Sequence, residues 1–206
     1  MSLAPLTTLT LRIVAASGDQ DRAAHRRVDG GEVIVLADGA GGTSGGREAA
    51  ERIVQHEYRS LSDPAACVSA LQRLDRELSA DRACGESTAV LVVIRDGNAF
   101  GASVGDSGVW ALTVAAIVEL SDGQHRKPLL GSGTAKPVGF GPRLFAERLL
   151  VASDGLLKYA PRPRIHSVAL AADIDAAADE LVAAARLSNG ALQDDLALVL
   201  IDPMHT

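Results

Sequence analysis

Aromatic side chains are scarce in this chain: one Trp, two Tyr and three Phe among 206 residues. The core must therefore be built largely from aliphatic side chains, and that carries no function by itself. Cysteine is nearly as rare. Cys67 and Cys84 fall on or near predicted helix, away from any histidine cluster. They read as free thiols of a reducing cytoplasm rather than as a disulfide or a metal pair. No apolar run approaches the roughly 18 residues that a spanning helix needs, so no membrane partner is expected. Met1-Ser2-Leu3-Ala4-Pro5 lacks the basic region and apolar stretch of a secretory signal, and the expected location is cytoplasmic. A basic face is missing too: the formal net charge is −6 with Lys and Arg scattered, which argues against a nucleic-acid partner. The length suits one domain spanning 1–206, with a core large enough to fold alone.

What is present is acid at particular places. Val33 to Ala37 is an apolar, β-branched run that predicts a buried strand. Asp38 stands at its end, followed by the glycine-dense Gly39-Ala40-Gly41-Gly42-Thr43-Ser44-Gly45-Gly46 and a helical pattern from Arg47. A phosphate-cradling P-loop is excluded, because no Gly-Lys-Ser/Thr follows the glycines. The dinucleotide fingerprint also fails: counting from Gly39, Gly41 fits but Ser44 stands at the third glycine position. Asp38-Gly39 alone is equally an ordinary turn. Other predicted strand ends break that tie. Asp106 follows Ala99 to Ser103, and Asp154-Gly155 follows Leu149 to Ala152. Asp194-Asp195 precedes Leu196 to Ile201, while Asp19 and Asp21 follow Leu9 to Ala16. Two carboxylates ~4 Å apart repel by about 4 kcal/mol at an effective dielectric of 20. If these converge they need cations, and an all-oxygen set selects hard ions such as Mg²⁺ or Mn²⁺.

Taken in order, Ala37-Asp38-Gly39-Ala40-Gly41-Gly42, Gly105-Asp106-Ser107, Ser153-Asp154-Gly155-Leu156 and Asp194-Asp195 resemble the motif series of the metal-dependent protein phosphatases, the type 2C serine/threonine phosphatases. The match runs from about Arg12 to Asp202. The resemblance implies an α+β fold, a four-layer α-β-β-α sandwich of two antiparallel sheets with helices outside. It implies a phosphoprotein phosphatase whose cofactors are two Mn²⁺ or Mg²⁺ ions, with a third possible. Asp38 would bridge the ions and the Gly39 carbonyl would bind one. Asp154 and Asp194 would bind the other, with Asp106 recruiting a third, looser ion. Asp21 would hold a metal-bound water, and His25 would be a proton donor. Two departures stand out. The phosphate-binding arginine of such enzymes is replaced by Ala16, which leaves the metals or Arg22, Arg26 or Arg27 to hold phosphate. Gly108 stands where an arginine commonly follows Gly-Asp-Ser.

The rest of the chain reads as scaffold. His25-Arg26-Arg27 is expected in a loop before the second strand, where a lone His is more often solvated than catalytic. Glu48 to Ser60 and Pro64 to about Ser79 predict paired helices over one sheet face, with Ser62 or Asp63 as the second helix's cap. Ser87 to Ile94 predicts a buried strand, and Asp96-Gly97 a hairpin into Ala99 to Ser103. Ser87 and Thr88 match a Gly-Thr-Thr-like family segment, though a strand start explains them equally well. The Gly/Pro-dense tract from Asp122 to Pro142 predicts an irregular, short lid that sets substrate choice. His125, Arg126 and Lys127 there could attract an anion, or form a solvated turn. After the strand at Leu149 to Ala152, Pro161 and Pro163 turn the chain away, and Asp173 to Leu187 predicts a third main helix. No serine elbow or base-flanked cysteine suggests covalent catalysis. The partner expected is a phosphorylated protein, and the small size, short lid and abundant alanine suggest a bacterial signalling enzyme. The alternatives are a phosphatase-like regulatory or binding module with weak turnover, and a small-molecule phosphatase.

Overall fold

Period-two alternation sorts the strand residues into layers. In β3 (Gly31–Asp38), Val33, Val35 and Ala37 join a cluster with helical residues, whereas Ile34 and Leu36 point into a second cluster. In β10 (Leu196–Pro203), Leu196, Leu198 and Leu200 face helices, and Ala197, Val199 and Ile201 meet Ile34 and Leu36 in the same inner cluster. Both strands are covered on both faces, hence their uninterrupted apolar sequences. Each aliphatic side chain so buried contributes about 1.5–3 kcal/mol, which is how a core with few aromatics suffices.

The computed structural model describes residues 7–28, 30–40 and 45–203. Residues 41–44 of the glycine-dense stretch, with 1–6, 29 and 204–206, lie outside them. One five-stranded antiparallel sheet has the order β1 (Thr7–Val14), β10, β9 (Arg148–Ala152), β6 (Gly108–Leu112) and β7 (Ile117–Glu119). The other has the order β2 (Asp21–Val28), β3, β4 (Ala89–Arg95), β5 (Asn98–Val104) and β8 (Val138–Leu144). α1 (Gly46–Gln55) and α2 (Pro64–Ala80) cover the second sheet. α3 (Asp154–Leu157), α4 (Arg162–Ala169) and α5 (Ile174–Ala184) lie on the first. The α-β-β-α sandwich is therefore the observed architecture. No helix among the described residues is long and apolar enough to cross a membrane.

Several local expectations hold for the reasons given. Asp63 caps α2 by accepting the Ala66 amide at 2.8 Å, with Pro64 in the first turn. Asp96 and Gly97 both take positive φ, 50° and 72°, as a two-residue hairpin turn demands.

Other segments differ. His25-Arg26-Arg27 is not a loop: Asp21–Val28 is strand β2, paired along its length with β3. As an edge strand it only partly buries its apolar residues Ala23, Ala24 and Val28, so its charged sequence carries no apolar signature. α1 stops at Gln55 rather than Ser60. Arg26 takes up the freed carbonyls of Val54 and His56 at 2.6 and 2.7 Å, and Tyr58 and Leu61 beyond them pack into the core. The Gly/Pro tract is not wholly irregular, because Val138–Leu144 forms edge strand β8 with a register shift opposite Ala99 and Gly101. An edge bulge is where a sheet tolerates Gly141 and Pro142. Pro161 and Pro163 do not turn the chain away; they open α4, where a first-turn proline loses no hydrogen bond.

Register gathers the relevant ends. Asp21 pairs with Asp38, Val14 with Leu196, Ala152 with Leu198 and Ala89 with Val104, so the aspartate-bearing strand ends share one end of their sheets. The glycine after Asp154 is part of this assembly. A Cβ on Gly155 would sit 1.9 Å from the Asp195 carbonyl oxygen, whereas one on Gly123 would meet only Val138 Cγ1, at 3.9 Å. Gly155→Ala should therefore lower unfolding free energy by about 2 kcal/mol or more in a urea titration. Gly123→Ala should stay within about 0.5 kcal/mol of wild type.

Candidate metal centre

Asp21 and Asp38 face each other across β2 and β3. Asp21 is only 2% exposed. Its Oδ2 accepts the Ser153 hydroxyl at 2.6 Å, and its Oδ1 has no donor. The Asp38 carboxyl lies within hydrogen-bonding reach of the Asp21 carboxyl. Two carboxylates can bond only by sharing a proton. Burial raises both well above the ordinary carboxyl range. For Asp38 the negative charges of Asp21, Asp154 and Asp106 add to that. Asp154 is raised too, by burial and then by Asp106 and Asp194, while Lys158 and Arg126 pull it back. Asp21, Asp38 and Asp154 thus feel the negative charges around them.

The backbone holding these acids is tightly fixed. The Asp38 carbonyl accepts from the Ser87 hydroxyl at 2.9 Å and the Thr88 amide at 2.8 Å, and the Asp38 amide donates to Thr88 Oγ1 at 3.0 Å. Thr88 Oγ1 also lies 2.8 Å from Ser107 Oγ, beside Asp106. A Cβ at Gly39 would strike the Gly46 carbonyl oxygen at 2.4 Å, so the glycine lets α1 start against the turn. Asp195 is buried, and its carboxylate organises the loop after β1. Oδ1 accepts from the amides of Ala16, Ser17 and Gly18 at 2.7, 3.3 and 3.3 Å, and Oδ2 accepts from Gln20 at 2.7 Å. Asp194, next to it, is exposed and faces Asp154 through its field.

The structure thus brings Asp21, Asp38, Asp106, Asp154 and Asp194 to one end of the sandwich, with the Gly39 backbone beside them. It does not gather them round a point: among the described residues no three acidic, His or Cys side chains form a group that could hold one ion. Asp38, Asp154 and Asp194 are accordingly not a preformed three-carboxylate set. Mg²⁺ in any case takes one or two carboxylates and keeps several waters. A donor set of hard oxygens, mutually repelling, with the buried Oδ1 of Asp21 lacking any donor, fits such ions.

Other expected residues lie elsewhere. His25 is four residues along β2 from Asp21, roughly 13 Å at the usual strand rise, too far to protonate anything held there. Its Nε2 stands 3.4 Å from buried Glu32, which also accepts the Thr7 hydroxyl. Arg26 points to the helical face and caps α1. Arg27 reaches Glu32, at 3.8 Å. Arg22, next to Asp21 in sequence, turns to Glu51 at 2.8 Å and Asp19 at 3.3 Å. The cations that do face the acids are Arg126, 2.8 Å from Asp106, and Lys158, 3.8 Å from Asp154. Both line a cleft of about 460 Å³ with Asp106, Asp154, Gly108 and Trp110. The sequence left Arg126 undecided and did not single out Lys158. The bond from Ser153 to Asp21 was also missed, although Ser-Asp-Gly was visible.

No protein-family model and no curated protein matches the sequence. Solved structures do match, over nearly the whole chain. A bacterial serine phosphatase is 17% identical with a TM-score of 0.82, covering 97% of this chain and 99% of its own. The serine/threonine phosphatase Stp1 from Staphylococcus aureus is 17% identical with a TM-score of 0.77, covering 100% and 98%. The Mycobacterium tuberculosis serine/threonine phosphatase PstP/Ppp is 16% identical with a TM-score of 0.76, covering 97% and 99%. The chain has the fold of bacterial serine/threonine phosphatases.

The raised acids make a stability prediction whose sign is fixed. A carboxyl whose folded pKa is raised gives stability that is present below the unfolded value of about 4 and is lost as pH rises through the folded value. Metal-free protein should lose stability as pH climbs from about 4 into the alkaline range. Asp38→Asn removes one charge and places an amide donor beside Asp21. It should stabilise the metal-free protein at pH 8 by on the order of 2 kcal/mol, and hardly at all at pH 4. Thermal melts in chelator at the two pH values check this.

Proposed function

We propose that this chain is a Mg²⁺- or Mn²⁺-dependent phosphoprotein phosphatase acting on phosphoserine or phosphothreonine. The observation that carries the reading is the set of mutually repelling aspartates at one end of a sandwich of this fold, with Asp21 and Asp38 pressed together. Asp38 with the Gly39 carbonyl, and Asp154 with Asp194, would hold the two ions, and Asp106 a third. The ions, when bound, supply Lewis acidity and charge neutralisation to phosphate-ester hydrolysis.

The protein's own groups have separable tasks. Ser153 fixes one oxygen of Asp21, so the other is aimed from a rigid position. Ser87 and Thr88 fix the Asp38 peptide, and the Ala40 amide, bound to the Glu86 carbonyl at 2.8 Å, fixes the next peptide and the direction of its Gly39 carbonyl. Asp195 sets the course of the chain between β1 and Asp21. Arg126 and Lys158 offset the acidic field at the cleft through which an anionic substrate would arrive. A thiol nucleophile is disfavoured: burial pushes the Cys67 thiol up to about 12 and raises that of Cys84.

One observation favours a second reading, a phosphatase-like binding module with slow turnover. Ala16 donates its backbone amide to Asp195 and offers no cation, and Arg22 and Arg47 are committed to Asp19 and its neighbours. Hydrolysis of p-nitrophenyl phosphate and a phosphothreonine peptide with Mn²⁺ decides between them. The phosphatase reading requires turnover that disappears in excess chelator and falls to background in Asp38→Asn and Asp154→Asn. Turnover that persists in chelator would overturn the mechanism. Tight Mn²⁺ binding in calorimetry without turnover would select the binding module.

A further inference from the structure

Helix α2 carries an acid on its inward face. Asp75 is 3% exposed and shares that face with Leu71, Leu74 and Leu78. Packing alone would favour another aliphatic residue there, since burying a carboxylate is costly unless its oxygens are satisfied. They are satisfied by backbone. Oδ1 accepts from the amides of Gly131 and Gly133 at 2.8 and 3.0 Å, and Oδ2 accepts from Ala135 at 3.0 Å. Gly131 and Gly133 have φ of 96° and 74°, the conformation that turns nearby amides toward one anion. The carboxylate is thus the internal anion of a nest made by the segment leading into β8.

That segment leans on the candidate centre. Leu130 and Ser87 exchange both backbone hydrogen bonds, at 3.0 and 3.1 Å. A Cβ on Gly131 would come within 2.2 Å of the Gly85 carbonyl oxygen, so the segment lies directly against 85–87. On its other side this stretch holds the aspartate turn: Ser87 Oγ and the Thr88 amide donate to the Asp38 carbonyl, and the Ala40 amide donates to Glu86. The order of support is Asp75, then the 130–135 segment, then 86–88, then Asp38-Gly39-Ala40.

We infer that Asp75 is a positioning residue of the candidate centre, fixing the peptides on either side of Gly39, and with them the Asp38 side chain and the Gly39 carbonyl, without touching either. The inference rests on the metal-phosphatase reading for its consequence, and on the hydrogen-bond sequence alone for its mechanism.

Three full-length variants test it. Asp75→Ala removes every acceptor. Asp75→Asn keeps an oxygen for Gly131 and Gly133 and loses the one for Ala135. Leu71→Ala, one turn earlier on the same face, destabilises the same helix without touching the relay. At a temperature where each is fully folded by circular dichroism, Mn²⁺ affinity in calorimetry should fall about tenfold in Asp75→Ala, as for other groups that orient ligands from behind. It should fall less in Asp75→Asn, and stay within about twofold of wild type in Leu71→Ala. In metal-free protein, amide hydrogen exchange at Asp38, Ala40, Ser87 and Thr88 should quicken in Asp75→Ala and not in Leu71→Ala. Unchanged exchange at those amides in Asp75→Ala, or an equal affinity loss in Leu71→Ala, would overturn the assignment. Should Asp75→Ala fail to fold, Asp75→Asn is read against Leu71→Ala by the same criteria. Wild-type protein that binds no Mn²⁺ would count against the metal reading, while the exchange experiment would still decide the relay.

Discussion

Repulsion among carboxylates is the constraint around which the rest is arranged. Folding brings Asp21, Asp38, Asp106, Asp154 and Asp194 within one another's fields and buries the first two most deeply. Left to themselves such groups would loosen the chain ends that carry them. They stay because every one of those ends is anchored away from its charge. β2 and β3 are zipped along their full length behind Asp21 and Asp38. β9 and β10 close behind Asp154 and Asp194, where Gly155 lets their ends touch. The free energy for this comes from the aliphatic layers, so the end of the molecule can be electrostatically unfavourable without unfolding it.

The anchors themselves are often acids bound by amides. Asp195 draws in the chain after β1, and Asp75 draws in the segment before β8. Basic residues close to these acids would cancel the field that a cation must feel. Backbone amides hold an acid by partial charge and leave the protein's formal charge at this end negative. Arg22, Arg26 and Arg47 are correspondingly occupied by Glu51, by α1 carbonyls and by Asp19. At the cleft, Arg126 and Lys158 turn toward the aspartates.

Much of this was legible in the sequence, and for identifiable reasons. Central strands such as β3, β4 and β10 are apolar on both faces, so their positions and the aspartates at their ends stood out. The hairpin at Asp96-Gly97 and the cap at Asp63 have local chemistry that reads directly. Two edge strands, β2 and β8, were misread. β2 is charged and β8 contains Gly139, Gly141 and Pro142, because one side of each meets no partner strand. Misreading β2 as a loop misplaced His25 and Arg26: as strand residues they alternate between faces and advance away from Asp21. The contacts of Asp195, Ser153 and Asp75 join positions far apart in the chain, and no spacing rule foretells them.

The aspartates do not all belong to one sheet. Asp21 and Asp38 stand on the strands covered by α1 and α2, whereas Asp154 and Asp194 belong to the strands covered by α4 and α5. On the metal reading, the residues proposed to hold the ions would therefore come from both sides of the seam of the sandwich. The binding free energy of the ions would then be added to the docking of the two halves. The same arrangement would make such a centre a report on assembly: either half, however well formed in its own hydrogen bonds, would own only part of the proposed ligand set until the other is seated against it.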